Sequence, residues 1–341
     1  MEFKKINLQL FAENIANVNY TGSAGLSDEV KTFYEKQLIE LAGPELVHDR
    51  FAQKKNIPAN GGTSIEFRQF APLTDDLEKL ALVENKIPDG QDLVESKVTA
   101  QIADFGGYVK VSDKVELTAI DPILVQATKK IAEQAAKVMD KVTREKMLEG
   151  TNVYYCPKVT NGAETEVTAR AQITADSLLR VKDVFRAAAI LNATDAKTID
   201  GSYVAIIHPH VAYDLMCGAG DAWMDIQKYS NADKIYNGEI GKIGNVRFVE
   251  SSKAKIIGGA GANSANVYTT FFIAADAYAT TEIAGGGVEH IFHGKGEIGG
   301  PLNQYSTVGW KARKTAEILV DDYLLRVESG SSMDDGSGKG N

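Results

Sequence analysis

The sequence predicts an α+β fold in which helices pack on a mixed or antiparallel sheet. A helical apolar stripe runs through residues 121–150, strand-like alternation marks residues 63–70 and 94–113, and strand and helix patterns alternate from residue 202 onward. The chain has 341 residues, of which 44% are hydrophobic and 24% are charged, so it can build one large core or two smaller ones.

The first 50 residues are predicted to form an arm that carries one amphipathic helix, over residues 27–43. Four apolar residues recur there near helical spacing: Val30, Phe33, Leu38 and Leu41. Ser27 is placed to cap the start of this helix, and Gly43 followed by Pro44 ends it.

Two strand-like segments, residues 63–70 and 94–113, each carry one apolar face. These faces contain Ile65, Phe67, Val98 and Ile102. The roughly twenty residues between the segments are polar and contain two prolines, and a structureless loop of that length is improbable inside a compact domain. We therefore predict a two-stranded protrusion that reaches a partner, with these four apolar residues as contact candidates.

The strongest helix signal covers residues 121–150. Asp121 is placed to cap the start, Pro122 suits the first helical position, and Gly150 suits the end. The apolar stripe of this helix contains Leu124, Ile131, Ala135, Val138 and Val142. The helix would be about 40 Å long, a length that suits a structural spine.

Helix and strand patterns alternate beyond this spine. A second helix is predicted to begin near Thr174, with Leu178, Val181, Phe185 and Ala188 on its apolar stripe. Residues 202–209 predict a buried strand that Pro209 ends, and Val211 and Leu215 then anchor a short helix.

Strand patterns dominate the rest of the chain. Residues 238–251 predict a glycine-spaced turn that leads into a strand with Val246 and Phe248 facing inward. Further strands are predicted in residues 266–283 and 306–329. The last residues, 329–341, are polar and glycine-rich and predict a disordered tail.

The histidines are the first candidates for chemistry. A zinc site with three histidines would require the pair His208 and His210 to meet the pair His290 and His293. Pro209 argues against this site, because it would break the strand that has to aim the first two imidazoles in one direction. We favour the alternative, in which His208 closes a strand and His210 starts a helix.

No other pattern indicates catalysis. The sequence has no GxSxG or HExxH motif, and its glycine-rich segments lack the helix start or the Lys-Ser/Thr pair that phosphate binding needs. We therefore assign no catalytic, cofactor-binding or metal-ligating residue, and we expect no cofactor and no enzyme activity.

Charge and cysteine content restrict the possible partners. The 37 basic and 46 acidic residues give a net charge of -9, which disfavours binding to the phosphate backbone of a nucleic acid. Two cysteines, Cys156 and Cys217, form no CxxC pair, which fits a reducing cytoplasm. No stretch has the roughly 18 apolar residues of a membrane span, so we expect no membrane partner.

Three sequence stretches and the order of the predicted parts point to a known family. The stretches are "NLQLFAE" at residues 7–13, "YVAIIHPHVAYDL" at 203–215 and "YNGEIGKIGNVRFVES" at 236–251. Over residues 3–328 the chain resembles the major capsid protein of tailed bacteriophages, whose shell fold is shared with herpesviruses. The second and third stretches, taken together, are the specific signal.

The resemblance implies a division of the chain into the parts of that capsid fold. These parts are an N-terminal arm (1–55), an extended β-hairpin loop that lies over a neighbouring subunit (56–118), a peripheral domain with the spine helix (119–165), an axial α/β domain (166–300), peripheral return strands (301–328) and the tail (329–341).

The resemblance also implies what the protein does and which partners it has. It implies self-assembly, as hexamers and pentamers, into an icosahedral head shell of the virion that encloses double-stranded DNA without sequence-specific binding. Assembly is expected in the bacterial host cytoplasm, with a portal protein. Some relatives begin with a scaffolding domain that this sequence lacks, so we expect a separate scaffolding protein.

Some relatives crosslink their subunits through a lysine and an asparagine, but nothing assigns such a role to Lys79, Lys86 or Lys97, and we predict no crosslinking. The alternative functions are the shell of a cellular nanocompartment and, less favoured, a zinc-dependent enzyme.

Overall fold

The computed structural model describes the chain from residue 47 onward, with gaps. The described residues are 47–58, 62–70, 73, 75–82, 90–118, 123–160, 162–220, 223, 238–283, 287–298 and 302–341. The predicted arm helix, Asp121 and Pro122 lie outside these residues. None of the helices in the described ranges combines the length and the apolar character that a membrane crossing requires.

The described chain contains both helices and strands, many of the strands in consecutive runs, as in an α+β fold. The strands are β1 (Gln53–Ile57), β2 (Ser64–Phe70), β3 (Glu95–Gln101), β4 (Ala103–Ser112), β5 (Val153–Tyr155), β6 (Lys158–Thr160), β7 (Ala163–Thr165), β8 (Tyr203–Ile207), β9 (Glu239–Ile243), β10 (Val246–Glu250), β11 (Ile256–Ile257), β12 (Val267–Ile273), β13 (Tyr278–Ile283), β14 (Glu289–His293), β15 (Tyr305–Ile318) and β16 (Leu324–Ser329). The helices are α1 (Leu77–Leu80), α2 (Asp113–Thr118), α3 (Ile123–Met147), α4 (Val181–Ala193), α5 (Pro209–Ala219) and α6 (Lys295–Ile298).

Strand β15 organises a five-stranded sheet. Along one edge it pairs antiparallel with β4, from Tyr305 to Lys314. Along the other edge it pairs first with β14 and then with β13, both antiparallel, and β1 adds to β13 in parallel. One long strand therefore holds three neighbours in a single sheet.

The spine helix, α3, packs on this sheet, as its apolar stripe predicts. Ile131, Ala135 and Met139 are buried against Val308 and Trp310 of β15. With 25 residues the helix is about 37 Å long. It ends at Met147, three residues before Gly150, where the sequence places its end.

A seven-stranded mixed sheet forms the second large unit, in the order β5-β16-β12-β8-β10-β9, with β11 paired to β12. Helices α4 and α5 cover one face, where Tyr203, Ala205 and Ile207 of β8 are buried. Val204 and Ile206 point to the other face and pack near Met147 at the end of the spine helix. Both faces are covered, which explains why β8 is a continuous apolar run.

The strand-to-helix corner after β8 matches its prediction. Pro209 is the first residue of α5, and the His208 side chain caps the helix by accepting a hydrogen bond from the backbone N–H of His210. Val211 and Leu215 are fully or almost fully buried against the sheet.

The prediction for the second helix is wrong in its start and in its stripe. Helix α4 begins at Val181, because the Asp183 carboxylate accepts a hydrogen bond from the backbone N–H of Arg180 and so fixes the first turn. The buried stripe contains Val184, Ala187, Ala188 and Leu191. Phe185 is 50% exposed, since it lies one position, or about 100°, away from that stripe.

Two strand predictions also need correction. Residues 239–243, read as part of a turn, form β9, which pairs with β10 in a hairpin around Gly244. Residues 266–283, read as one strand region, form β12 and β13 in different sheets, because the chain turns at Asp276 with a positive φ of 58°. Val246 and Phe248 of β10 are buried, as expected.

The predicted disordered tail is also wrong for this structure. Residues 330–341 lie on the body of the protein, with hydrogen bonds to helix α5, the strand β11 region and the spine helix. Polar composition suggested disorder, but the polar side chains of this segment find partners within the chain.

Candidate subunit interface

The extended loop predicted from the sequence is a hairpin of β2 and β3. The two strands pair antiparallel in one register from Ser64 with Gln101 to Phe70 with Glu95. One face carries charged residues, where Arg68 contacts Glu95 at 3.2 Å and Glu66 at 3.6 Å. Such exposed ion pairs add little stability, so the other face must hold the hairpin in place.

The apolar face of the hairpin packs on the protein's own body. Phe67 is 7% exposed and Ala100 is fully buried, and both lie against Ala279 of β13. Ile65 and Val98 are partly buried in the same cluster. The root of the loop is therefore anchored within the chain, and a contact of these residues with a neighbouring subunit stays a prediction.

Ile102 differs from the other three candidates, because it does not lie within a strand. It is the single residue between β3, which belongs to the hairpin, and β4, which belongs to the five-stranded sheet. Its backbone N–H donates to the carbonyl of Thr63 at 2.9 Å, and its side chain is partly buried. The chain thus passes directly from the loop into the sheet at this residue.

The distal part of the loop exposes large apolar side chains that the sequence prediction missed. They are Phe70, Leu73, Leu77, Leu80, Leu82, Leu93 and Val94. Leu77 and Leu82 are the most exposed, at 82% and 79%. In the sequence, most of these side chains are leucines of residues 71–94. This segment is otherwise polar, with six acidic and two basic residues and a net charge of -4.

A second open surface lies on the face of the five-stranded sheet away from the spine helix. Alternate residues of β15 reach the helix, so Gly309, Lys311 and Arg313 face the other side. There a groove of about 730 Å³ is lined by side chains that include Tyr108, Lys110, Ile291, His293, Tyr305 and Lys311. The Lys110 ammonium lies 5.3 Å from the centre of the Tyr305 ring. With Lys110 and Lys311 against one carboxylate, Asp104, the groove is weakly basic and aromatic, which complements the acidic and apolar distal loop.

The histidines proposed as zinc ligands do not form one site. His208 and His210 follow β8 of the seven-stranded sheet, whereas His290 and His293 lie on β14 of the five-stranded sheet. His210 contacts the Tyr268 hydroxyl at 3.1 Å. Burial, and then the charge of His210, lowers the pKa of His208 to about 4. Within the described residues no group of three or more His, Cys, Asp or Glu is placed to hold a metal ion.

Similarity to known proteins covers most of the chain. The sequence profile of the phage capsid protein family matches residues 95–325. No curated protein sequence matches the chain significantly.

Three solved capsid structures have a similar fold. The Ralstonia phage GP4 capsid is 14% identical over 83% of this chain and 88% of its own, with a TM-score of 0.66. The cyanophage P-SCSP1u capsid is 13% identical over 84% and 89%, with a TM-score of 0.62. The cyanophage Pam1 capsid is 14% identical over 98% and 100%, with a TM-score of 0.61.

Proposed function

The chain belongs to the phage capsid protein family and is a structural protein of the virion shell, and from this premise we propose that its subunits join through the distal part of the extended loop. The loop of one subunit lies on the basic groove of the next. A shell built by such contacts closes through symmetry, as hexamers and pentamers of one chain.

The exposed leucines of the distal loop are the observation that carries this proposal. Each large apolar side chain that leaves water contributes about 2 kcal/mol, and this loop offers several in one short segment. Monomeric proteins rarely leave such clusters uncovered, so the segment fits a contact surface. The same contact repeats around the shell, so even weak single contacts stabilise it.

The anchored root of the loop gives this contact a defined position. Phe67 and Ala100 fix the hairpin on β13, so the distal segment extends from a fixed base. The hairpin therefore determines where the neighbouring subunit lies.

Opposite charge supports the groove as the receiving surface. The distal loop carries a net charge of -4, and Lys110 and Lys311 line the groove together with one carboxylate, Asp104, which lies 4.0 Å from Lys311 and 3.1 Å from Arg313. Complementary charge favours the correct partner and a fast encounter. The contact would therefore weaken as the salt concentration rises.

The remaining partners follow from the same function. A separate scaffolding protein and a portal protein would guide assembly in the bacterial host cytoplasm. The shell would enclose DNA without reading its sequence, because a net charge of -9 does not favour a phosphate-binding surface over the whole protein.

Leucine replacement in the loop tests the proposal. The double variant Leu77→Ser with Leu82→Ser should stay folded, because both side chains are exposed, but should fail to form shells. Leu77→Met with Leu82→Met keeps the apolar surface and should assemble normally.

Charge reversal in the groove, Lys110→Glu with Lys311→Glu, should also prevent assembly. Circular dichroism measures folding, and electron microscopy with size-exclusion chromatography measures shells.

Shells of normal size and yield from the serine variant would overturn the role of the distal loop. Normal shells from the charge-reversed variant alone would reject the groove as its receiving surface.

A further inference from the structure

Residues 330–341, called the strap below, run across both large units of the protein. Near its start, Ser331 and Ser332 bond to the carboxylate of Asp214 on helix α5, where the Ser331 hydroxyl lies 2.8 Å and the Ser332 N–H 2.9 Å from Oδ2. The carboxylate thus accepts hydrogen bonds from two consecutive residues of the strap. This fixes the point at which the strap leaves β16.

The middle of the strap bonds to a buried asparagine. The backbone N–H and the side-chain amide of Asn266 donate to the two carboxylate oxygens of Asp334, at 2.9 and 2.7 Å. Asn266 is 3% exposed, so these bonds satisfy donors that water cannot reach. Loss of Asp334 would leave them without that acceptor.

Glycines allow the strap to lie directly on the backbone of the body. A Cβ atom at Gly258 would overlap the backbone of Gly338 and Gly340. A Cβ atom at Gly340 would lie 2.6 Å from the carbonyl oxygen of Ile256 and 2.9 Å from the nitrogen of Gly258. Any side chain at either position would force the two backbones apart. The close contact therefore requires glycine on both sides, at Gly258 and at Gly340.

Asn341 fills a polar site at the end of the strap. Its side-chain oxygen accepts from the N–H of Ile256 at 3.0 Å and from the Arg144 guanidinium at 3.3 Å, while its side-chain amide donates to the carbonyl of Ala254 at 2.9 Å. Its main-chain oxygen accepts from Lys255 at 3.0 Å and from Arg144 at 3.3 Å. The site offers a donor and an acceptor to one side chain, a pattern that fits a primary amide.

Arg144 connects this site to the spine helix. It lies in the last turn of α3, is 3% exposed, and donates to the carbonyl of Lys253 at 2.6 Å. Glu145 on the same helix contacts Lys255 at 3.0 Å. The site therefore lies where the end of the spine helix meets the connection into β11 of the seven-stranded sheet.

We propose that residues 254–258, together with Arg144, form an asparagine-binding site for Asn341. The docked strap then holds the seven-stranded sheet against the end of the spine helix. Three hydrogen-bonded anchor points, on Asp214, on Asn266 and on residues 254–256 with Arg144, lie on different parts of the body. The strap thus adds a connection between the two packing units besides their shared core.

Cleavage of the strap by trypsin tests the proposal on the purified full-length chain before assembly. Lys339 is the only basic residue of the strap, so cleavage after it reports release of the end. Cleavage of an open segment follows the population of the open state. We expect Gly340→Val, Gly258→Val and Asn341→Leu each to speed this cleavage on the order of tenfold. Mass spectrometry follows the loss of residues 340–341.

Hydrogen exchange gives a second readout, because the Ile256 N–H donates to Asn341 in the docked state. Peptides that cover residues 254–258 should exchange faster in all three variants. Gly218→Val is the matched control, since a Cβ atom there meets no other atom within 4 Å. It should change neither readout.

Two results would overturn the proposal. One is cleavage of the wild-type chain after Lys339 as fast as cleavage of the free peptide 330–341. The other is unchanged cleavage and exchange in Gly340→Val and Asn341→Leu, whose changes lie in the strap and leave the body intact. Both readouts precede assembly, so they do not depend on the role proposed for the loop.

Discussion

His48 and Asp140 join the end of the N-terminal segment to the spine helix through a buried contact, in which His48 Nδ1 lies 2.7 Å from Asp140 Oδ2. Both side chains are almost completely buried. The backbone N–H of His48 also donates to Asp140, at 2.9 Å, and the Tyr278 hydroxyl donates to the carbonyl of His48. Next to this pair, Asp49 accepts from the buried ammonium of Lys314. A helix, two strands and the chain entering β1 therefore share one polar network.

Removal of Asp140 should destabilise the subunit strongly. Burial alone would raise the pKa of this carboxyl, but the hydrogen bonds and charge of His48 and the charge of Lys314 outweigh it and lower the pKa. Asp140→Ala leaves His48 buried without this partner, so the free energy of unfolding should fall by about 3 kcal/mol. Urea denaturation of the unassembled subunit measures the change.

Glu133→Ala is the control for this measurement, because it removes exposed ion pairs with Lys130 and Lys137 on the same helix. It should change the free energy of unfolding by less than about 0.5 kcal/mol. Equal effects of the two substitutions would contradict the structural importance of the buried network.

The sequence was informative where a single element carries its own signal. The spine helix has a long apolar stripe with Ile131 and Ala135, and the corner at Pro209 combines a buried strand, a proline and a helical spacing. These elements are decided by local periodicity and by the restricted backbone of proline. The α+β class follows from them.

Elements decided by distant contacts could not be predicted in this way. Nothing local shows that β12 and β13 separate into two sheets, because the choice depends on their pairing with β16 and β15. The start of α4 depends on Asp183, which also accepts from Tyr154, 29 positions earlier. The composition of the strap predicts disorder. Its order in the structure depends on Asp214 and Arg144, which lie far away in the sequence.

The exposed part of the candidate interface was missed for a related reason. Ile65 and Phe67 alternate with charged residues, so their face was visible in the sequence, but their cover, Ala279, lies more than 200 positions away. Leu73, Leu77 and Leu80 are four and three residues apart, but helix α1 covers only Leu77–Leu80, which is too short to give a clear periodic signal. Only the structure separates the anchored root from the exposed end.

Gly107 should be required for close packing of the spine helix on the sheet. A Cβ atom there would lie 2.7 Å from the Gln134 side-chain oxygen and 3.2 Å from the Trp310 ring nitrogen, which are hydrogen bonded to each other at 3.1 Å. Gly107→Val should therefore displace both and lower the free energy of unfolding by about 2 kcal/mol. Urea denaturation reports the change in stability, and near-ultraviolet circular dichroism, to which Trp310 contributes, reports the change in packing.

Gly296→Val is suitable as a comparison, because a Cβ atom at Gly296 meets nothing within 4 Å. An unchanged Trp310 signal in Gly107→Val, with unchanged stability, would show that the helix can move without cost.

His208 should make stability depend on pH below neutrality. Burial, and then the charge of His210, lowers its pKa from 6.5 to about 4 in the folded protein. The unfolded chain therefore binds a proton at a higher pH than the folded chain does, so acid favours unfolding. The contribution of neutral His208 is fully present above about pH 6.5 and is lost as the pH falls towards about 4.

His208→Asn should reduce this dependence, because asparagine does not titrate and can still cap helix α5. We expect the difference in the free energy of unfolding between wild type and variant to shift in favour of the variant as the pH falls from about 7 to about 4. Urea denaturation at several pH values measures it. His293→Gln, which removes a more exposed histidine on β14, should leave the wild-type dependence in place. Parallel curves for wild type and His208→Asn would show that His208 is not the titrating group, since the two proteins differ only at that imidazole.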